Sequence, residues 1–308
     1  MFTLLRRILW LSLPPCLFGL LLPWLLRSFA HHQGALIWLL ELAVHWQWLF
    51  LAGLLGGSAL ALLVQRRWLP VLLAAPLPWL SAAPSLPESE GAPQLRLASA
   101  NLNLDNRDAG ALRDWLALVQ PDVVVLQELS PAFAQSLQPL PGYLYRSLSP
   151  QPSPFGIGVL STMPLLDPRV ITDDEGVQRI ETGLLIPGCR VELTVLHPMP
   201  PISPRQRARR DRTLSELAQH KQKPSLLAGD LNTSPWAPAF VALQMQGWRR
   251  ASGLMPTWGG PLGIPIDHVV ASAHWQVVRQ SRGPSLGSDH LPVLVDLRLQ
   301  QDCPAAQP

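Results

Sequence analysis

The stretch Leu227-Ala-Gly-Asp-Leu-Asn-Thr233 decides the fold, because an apolar run of strand length ends there in a tight group of polar side chains. The same pattern returns in Ile266-Asp-His-Val269 and in Gly287-Ser-Asp-His-Leu-Pro292. Runs of this kind predict β-strands that bring several polar groups to one edge of a sheet. The polar residues are Asp230, Asn232, Asp267, Asp289 and His290. They include oxygen ligands for a divalent cation, a carboxylate that can deprotonate water and an imidazole backed by a carboxylate, which are the parts that phosphoester hydrolysis needs.

Three further motifs precede these stretches in the chain. They are Ala98-Ser-Ala-Asn-Leu-Asn103, Asp122-Val-Val-Val-Leu-Gln-Glu128 and Leu193-Thr-Val-Leu-His197. One motif alone is weak, since an Asp-His pair or a Gly-Asp-x-Asn turn recurs by chance. All of them in this order resemble the endonuclease/exonuclease/phosphatase family, which includes deoxyribonuclease I-like nucleases, apurinic endonucleases, neutral sphingomyelinases and inositol polyphosphate phosphatases. The resemblance runs from about residue 95 to residue 299.

Apolar runs of strand length alternate with helical stretches in this part of the chain, which indicates a layered α/β or α+β domain. The helical stretches are residues 109–120 and 205–219. The strand-like runs are residues 95–100, 123–127, 156–160, 190–196, 225–228, 268–271 and 292–299. The resemblance implies a four-layer sandwich, in which two mixed β-sheets pack face to face, helices flank them and the site lies at one end.

The resemblance also implies a Mg²⁺ site, with Mn²⁺ as a substitute. It makes Glu128 the principal ligand, brings Asn101 close to the metal and the phosphate, and lets Asp289 complete the metal side. A carboxylate at the end of an apolar strand is costly unless it meets a cation or a donor, which supports Glu128; an exposed strand end is the alternative. Asn103 stands where some relatives carry an acidic residue, and we assign it, with Trp258, to substrate binding. Core packing is the alternative for Trp258.

The catalytic roles follow from the same resemblance. Asp230 orients and deprotonates the attacking water, and Asn232 holds a phosphoryl oxygen; in an extended chain both side chains share a face. An Asx turn is the alternative for this pair. His290 binds the scissile phosphate or protonates the leaving oxygen, while Asp267 fixes its ring. His197 matches a second histidine of the deoxyribonuclease-like and sphingomyelinase-like branches, and a structural histidine is the alternative.

Residues 1–83 form a membrane-like, transmembrane helical region, whose only formally charged residues are Arg6, Arg7, Arg27, Glu41, Arg66 and Arg67. Apolar segments near residues 8–30, 46–64 and 68–83 approach the roughly 20 residues that a spanning helix needs, although the third is short and contains three prolines. Residues 34–45 favour a helix that lies in the interface. A cleaved signal peptide is the alternative for the first segment, but the run is too long and a second one follows it.

Basic residues set the orientation of such helices, because loops rich in Lys and Arg stay inside. Arg6 and Arg7 precede the first segment, and Arg66 and Arg67 join the second to the third. Three crossings therefore place the catalytic domain outside, on the periplasmic side of a bacterial inner membrane. If the third segment does not cross, the domain is cytoplasmic.

A linker and a tail bound the predicted catalytic domain, residues 95–300. Residues 84–94 contain Pro, Ser and Glu, which is typical of an exposed, semi-rigid spacer, and residues 301–308 form the tail. The three cysteines say little: Cys16 lies in a membrane segment, and Cys189 and Cys303 either pair in an oxidising compartment or stay free.

These patterns predict a membrane-anchored phosphoesterase that hydrolyses a phosphodiester or a phosphomonoester by direct attack of water. Its partners are the bilayer and a phosphoester substrate that is lipid-linked, small or nucleic acid. The pI of about 9.1 owes much to the membrane-flanking arginines, so it supports a nucleic-acid surface poorly. The five arginines between residues 205 and 212 predict a solvated helix face, with a phosphate or lipid-headgroup surface as the alternative. A membrane-tethered DNA endonuclease and a catalytically inactive binding module remain as other functions.

Overall fold

The computed structural model describes residues 2–29, 34–138, 140–186, 189–219 and 223–300, so the predicted tail and Cys303 lie outside the described residues. The α-helices are α1 (Phe2–Arg27), α2 (Ala35–Val44), α3 (Gln47–Val64), α4 (Leu77–Ser81), α5 (Gly110–Val119), α6 (Pro131–Ser136), α7 (Pro204–Ala218) and α8 (Pro238–Met245). The strands are β1 (Leu95–Asn101), β2 (Val123–Gln127), β3 (Tyr145–Ser149), β4 (Ile157–Ser161), β5 (Leu165–Thr172), β6 (Gln178–Ile186), β7 (Cys189–Leu196), β8 (Ser225–Asp230), β9 (Arg249–Arg250), β10 (Asp267–Ala271), β11 (Trp275–Arg282) and β12 (Val293–Leu299). A 3₁₀ helix, Arg66–Ala74, lies between α3 and α4.

In the described part of the chain, the strands form two six-stranded sheets. Their strand orders are β11-β12-β1-β2-β4-β3 and β5-β6-β7-β8-β10-β9. Both sheets are mixed, because β1 is parallel to β2 and β7 is parallel to β8, whereas their other neighbours are antiparallel.

Strand alternation explains why the two sheets pack face to face. In β1, Leu97 belongs to the core between the sheets, and its neighbour Ala98 packs against residues of α5 and α6 on the outer face. In β8, Ala228 enters the same inter-sheet core, and Leu227 packs with α7 and α8. Successive side chains of a strand point to opposite faces, so each sheet is covered on both sides. The predicted four-layer sandwich is confirmed.

The strands that the sequence does not predict all lie at the sheet edges or next to them. They are β3, β5, β6, β9 and β11. An edge strand has one unpaired side and is often charged, so it lacks the apolar run that marks a central strand. The short helices α6 and α8 are also additions to the predicted elements.

Helices α1 and α3 pack as an antiparallel hairpin. A Cβ added at Gly19 would meet the ring of Phe50, and one added at Gly57 would meet Leu13. Residues later in α1 therefore contact residues earlier in α3, so the two helices run in opposite directions. Small residues let two apolar helices approach closely, which is a common way to pack helices in a bilayer.

In the described chain, two helices are long and apolar enough to cross a membrane, by length and composition alone. They are Thr3–Arg27 and Gln47–Val64, which correspond to the predicted segments near residues 8–30 and 46–64. The short apolar helix α2 lies between them in the chain, at the place of the predicted interfacial helix. We call helices α1, α2 and α3 together the membrane-like hairpin. These helices indicate an association with a membrane.

The third predicted segment, residues 68–83, is not one continuous α-helix. Its prolines cannot donate helical hydrogen bonds, and the chain forms the 3₁₀ helix and the short α4 instead. The segment still runs along the hairpin from end to end. Trp68 lies 4.8 Å from Trp10 near the start of α1, and Trp79 lies 5.1 Å from Trp48 near the start of α3, measured between ring centroids.

The segment that joins the helices to the sandwich, predicted to be a spacer at residues 84–94, is attached to the sandwich in its first half, although Ser85, Pro87 and Glu88 are exposed. Leu86 is buried in the core between the sheets. Ser85 and Glu88 form β-bridges with Arg250 and Val277. The chain enters the sandwich at these bridges because the short strand β9 and the start of β11 leave backbone groups for it to pair with.

Candidate active site

Three polar side chains reach one end of the sandwich because of strand alternation. Asn101 ends β1, Asp230 ends β8 and Asp267 begins β10. Each is separated by an even number of positions from a residue of the inter-sheet core, so each points between the sheets. Strands β8 and β10 are antiparallel with Asp267 opposite Asp230, which places the two carboxyl groups side by side.

The backbone geometry explains why glycine occupies position 229 in the Gly-Asp-Leu-Asn motif. Its φ is +147°, and an added Cβ would collide with the carbonyl oxygen of Leu196. Only glycine adopts this conformation readily and lets the backbones of β7 and β8 approach so closely. The approach brings His197, directly after β7, to Asp230: its Nε2 lies 3.4 Å from Asp230 Oδ2.

Asn101 links two of the carboxylates. Its Nδ2 donates to Glu128 Oε1 at 3.0 Å and to Asp230 Oδ2 at 3.1 Å. Its own oxygen accepts a hydrogen bond from the backbone N–H of Asn103 at 3.0 Å, and Leu104 N–H donates to Glu128 Oε2 at 2.9 Å. Asn101 thus holds Glu128 and Asp230 together through its amide N–H groups. Its role as a metal ligand stays a prediction.

His290 and Asp267 form a buried pair. His290 Nδ1 lies 2.9 Å from Asp267 Oδ2, and the backbone N–H of Asp267 donates to Thr257 Oγ1 at 3.2 Å. Burial lowers the pKa of His290, but the charges of Asp267 and Asp230 outweigh it and raise the pKa to about 10. The two carboxylates thus favour the protonated ring, whose Nε2 lies 3.8 Å from Asp230 Oδ2.

Asp230 is ionised despite complete burial. Burial raises its pKa, but the charge of His290 and the hydrogen bond from His197 outweigh this and bring the pKa to about 2. Burial also disfavours a charged His197, yet the bond and charge of Asp230 raise the pKa of His197 above its usual value. His197 Nδ1 lies 3.0 Å from the carbonyl oxygen of Pro154, so both ring nitrogens face acceptors, as an imidazolium requires.

Asn232 is not in the extended conformation that would place its side chain on the same face as that of Asp230. Its φ is +49°, its backbone N–H donates to Asp230 Oδ1 at 2.9 Å, and its Nδ2 donates to the carbonyl oxygen of Pro198 at 3.0 Å. An Asp side chain that accepts from the N–H two residues later forms an Asx turn, and Asn tolerates positive φ. The alternative turn interpretation is therefore correct in geometry, and the turn itself keeps Asn232 beside Asp230.

The two residues assigned to substrate binding both hold Asp289. Asn103 Nδ2 donates to Asp289 Oδ1 at 2.8 Å, and Trp258 Nε1 donates to Oδ2 at 2.9 Å. Burial raises the pKa of Asp289, but these two hydrogen bonds and the charge of His290 bring it below the usual value. Trp258 is half-buried and bridges the backbone of His290, so it lines the site rather than the core.

The residues of the site fit a divalent cation. Ligand atoms of Asp230, Asp267 and His290 lie within 4.8 Å of one another. Oδ1 of Asp267 is buried and has no hydrogen-bond partner among the described residues. Among the described residues, neither Glu128 nor Asp289 forms a salt bridge with a Lys or an Arg. The ion pairs of this cluster join its aspartates to His197 and His290. Hard carboxylate ligands are typical of divalent-metal sites.

The N-terminal helices touch the rim of this site, which the sequence analysis does not predict. His45 Nδ1 lies 2.7 Å from Ser234 Oγ, just after Asn232. The ring of Trp46 lies 6.5 Å from that of Trp258, between centroids. The sequence feature that could have predicted this contact is the pair His45 and Trp46, a polar and an aromatic residue between two strongly apolar helices.

The sequence profile of the Endonuclease/Exonuclease/phosphatase family matches residues 98–290. The chain belongs to this family. Because the members are metal-dependent phosphodiesterases and nucleases, the protein is a metal-dependent phosphoric ester hydrolase. A search of the curated proteins finds no match.

Solved structures share the fold at low sequence identity. An endonuclease/exonuclease/phosphatase from Beutenbergia cavernae is 20% identical with a TM-score of 0.55, over 68% of this chain and 72% of that one. TDP2 from D. rerio, complexed with a single-strand DNA product, is 17% identical with a TM-score of 0.54, over 66% and 98%. An AP endonuclease from Archaeoglobus fulgidus is 15% identical with a TM-score of 0.51, over 67% and 100%. None of these alignments covers the whole of this chain.

Proposed function

We propose that the protein is a membrane-anchored, Mg²⁺-dependent phosphodiesterase whose active site lies at the bilayer surface and hydrolyses a lipid-linked or small phosphodiester. The observation that carries the proposal is the contact of the membrane-like hairpin with both sides of the site. His45 bonds Ser234 beside the Asp230 turn, and the adjacent Trp46 packs against Trp258. A catalytic domain on a flexible tether would not bring the anchor to its active site.

Apolar side chains around this contact support a membrane-facing rim. Trp38 Nε1 of α2 donates to the carbonyl oxygen of Pro201, which ties α2 to the loop before α7. Residues of α2 and of two neighbouring loops expose large apolar side chains: Leu36, Leu39, Ile202, Met255 and Leu262. Large apolar side chains that are exposed near a site support a membrane contact there.

An apolar groove of about 620 Å³ runs between α3 and the loop that carries Trp258. Trp48, Leu51 and Leu55 line it from α3, and Leu254 and Leu262 line it from the loop. One wall is thus a helix of membrane-spanning length. We assign the groove to an acyl chain of the substrate lipid, whose headgroup then lies near Trp258.

The chemistry that we propose is direct attack of water on phosphorus. Asp230, whose pKa is lowered to about 2, orients the water in line with the leaving group and takes a proton from it as the water oxygen bonds to phosphorus. Asn232 donates to a phosphoryl oxygen. His290 donates its Nε2 proton to the leaving oxygen, and Asp267 holds the ring in position. Mg²⁺, which Glu128 and its neighbours would hold, supplies positive charge for the transition state when it is bound.

DNA cleavage is the second candidate, because TDP2 from D. rerio is described with a DNA product. The arginines of α7 do not favour it. Arg207 and Arg210 are buried, and Arg209 pairs with Asp173 at 2.7 Å. Most of the affinity of a nuclease for duplex DNA comes from unpaired cations that neutralise phosphates. The alternative of a catalytically inactive binding module would require that part of the catalytic residue set is missing. The side chains of Glu128 and Asp230 are both present, however, and are joined through Asn101.

The orientation that we propose has the sandwich outside the inner membrane. The basic residues Arg6, Arg7, Arg66 and Arg67 belong to one end of the hairpin, and the sandwich contacts the other. Basic ends stay on the cytoplasmic side. Reporter fusions after Glu90 should be active only outside the cytoplasm; cytoplasmic reporter activity would refute this orientation.

The substrate test compares three classes under one condition. The full-length protein in nanodiscs is assayed with Mg²⁺ against phosphatidylglycerol and phosphatidylcholine, bis(p-nitrophenyl) phosphate, and supercoiled plasmid. We expect turnover of a lipid or the small diester, and a loss of roughly 10²-fold or more in His290→Ala. Full activity in excess chelator or in His290→Ala would sink the mechanism. Efficient plasmid nicking that falls steeply with salt would favour the nuclease instead.

A further inference from the structure

A buried ion-pair cluster joins the membrane-like hairpin to helix α7. Glu41, on α2, is 1% exposed and pairs through its two carboxylate oxygens with Arg207 Nε and Arg210 Nη2. Arg210 also donates to Asp211 Oδ1 from Nε at 2.9 Å. Burial raises the pKa of Glu41, but the charges of Arg210 and Arg207 outweigh it and lower the pKa, so the carboxyl stays ionised.

The same cluster reaches the catalytic turn. Arg210 Nη1 donates to the carbonyl oxygen of Asn232 at 2.8 Å, and the Arg210 side chain has no exposed surface. One planar guanidinium therefore bonds Glu41 on one side and the turn after Asp230 on the other. Such a group fixes geometry, because its donors lie in a rigid fork.

A second contact from the hairpin holds the same turn. His45 stands four residues after Glu41 and bonds Ser234 Oγ at 2.7 Å, two residues beyond Asn232. Both His45 and Ser234 are buried. The turn from Asp230 to Ser234 is thus attached to the hairpin at two places.

We propose that Glu41 is a positioning residue of the active site, which holds the catalytic turn through Arg210 and makes activity depend on the docked hairpin. The proposal rests on the hydrolytic function proposed above. The backbone N–H of Asn232 bonds Asp230 Oδ1 and its carbonyl oxygen accepts from Arg210, so Arg210 fixes the carbonyl side of the catalytic turn. Without the Glu41 carboxylate, Asp211 is the carboxylate partner that Arg210 keeps, so the guanidinium is no longer held from α2 and its bond to the Asn232 carbonyl loosens.

The test replaces Glu41 by Gln in the full-length protein in nanodiscs. The matched control is Glu175→Gln, which removes ion pairs to Arg205 and Arg209 on the other side of the same helix. We expect kcat for bis(p-nitrophenyl) phosphate to fall by roughly 10- to 100-fold in Glu41→Gln with KM changed less, since a partner that orients a catalytic group typically has an effect of this size. The control should keep the wild-type kcat.

Hydrogen exchange gives a readout that does not need activity. Amides of residues 231–234 should exchange faster in Glu41→Gln than in the wild type and in Glu175→Gln. A wild-type protein that hydrolyses no phosphodiester would refute the proposed function. The exchange measurement would still show whether Glu41 holds the catalytic turn in place. Unchanged kcat and unchanged exchange in folded Glu41→Gln would overturn the proposal.

Two variants keep the test decisive if Glu41→Gln does not fold. Glu41→Asp keeps the charge, so it should recover part of the lost kcat. Arg210→Lys keeps the charge toward Glu41 but replaces the fork by one ammonium, which cannot hold both Glu41 and the Asn232 carbonyl in the same geometry. A wild-type kcat in Arg210→Lys would also overturn the proposal.

Discussion

Replacing Asp267 by Asn tests whether this carboxylate keeps His290 charged. The two groups lie 2.9 Å apart and are buried, and the pKa of His290 is raised to about 10. An opposite charge at such a distance typically moves a pKa by about 1–3 units. A histidine with a raised pKa is protonated below that pKa and loses its proton as the pH rises through it. The alkaline limb of kcat/KM should therefore move about 1–3 units toward lower pH in Asp267→Asn.

The assay is the pH profile of kcat/KM for bis(p-nitrophenyl) phosphate at constant Mg²⁺. The matched control is Asp296→Asn, which removes a buried carboxylate that pairs with Arg96 at 2.7 Å near the opposite end of β1. It should keep the wild-type profile even if it lowers the melting temperature. The loss in Asp267→Asn should be larger at pH 9 than at pH 6, and smaller overall than in His290→Ala. An alkaline limb that does not move would refute the proposed charge on His290.

Three further substitutions test other parts of the site. Glu128→Gln should raise the Mg²⁺ concentration for half-maximal activity by about tenfold or more, because a carboxylate ligand is lost; an unchanged Mg²⁺ titration would remove Glu128 from the metal site. Gly229→Ala should lower the free energy of unfolding by about 1–3 kcal/mol or more, given its φ of +147° and the adjacent Leu196 carbonyl; a wild-type denaturation midpoint would contradict this. Trp258→Phe should raise KM more than it lowers kcat, because the ring stays while the bond to Asp289 is lost; equal kcat and KM with the wild type would show that the bond has no role.

The centre of the site is predictable because strand alternation determines where its side chains point. Asn101, Asp230 and Asp267 each border an apolar run, and the alternation of that run sends them between the sheets. The conformation of Asn232 is not predictable in this way. It depends on the Asx bond to Asp230 and on the carbonyl of Pro198, and the second of these is supplied by another strand end.

The outer strands are less predictable because their sequences do not repeat an apolar period. Strand β5 contains Asp167, Pro168 and Arg169, and its register with β6 shifts there. Most of its side chains are exposed, so hydrophobic patterning carries little information about it. The burial of Leu86 in the core is equally hard to predict, because a single apolar residue among Pro, Ser and Glu forms no pattern.

The basic run of α7 shows how a sequence signal changes meaning once its partners are known. Read alone, its arginines favour a solvated face or an anionic surface. In the structure, Arg207 and Arg210 point to Glu41, and Arg209 points to Asp173 in the β5–β6 turn. A lone carboxylate in a long apolar region is costly to bury unless cations pair with it, and buried arginines equally need an anion. Glu41 and α7 therefore require each other, and this mutual requirement is the physical reason to treat the membrane-like hairpin and the catalytic sandwich as one functional unit.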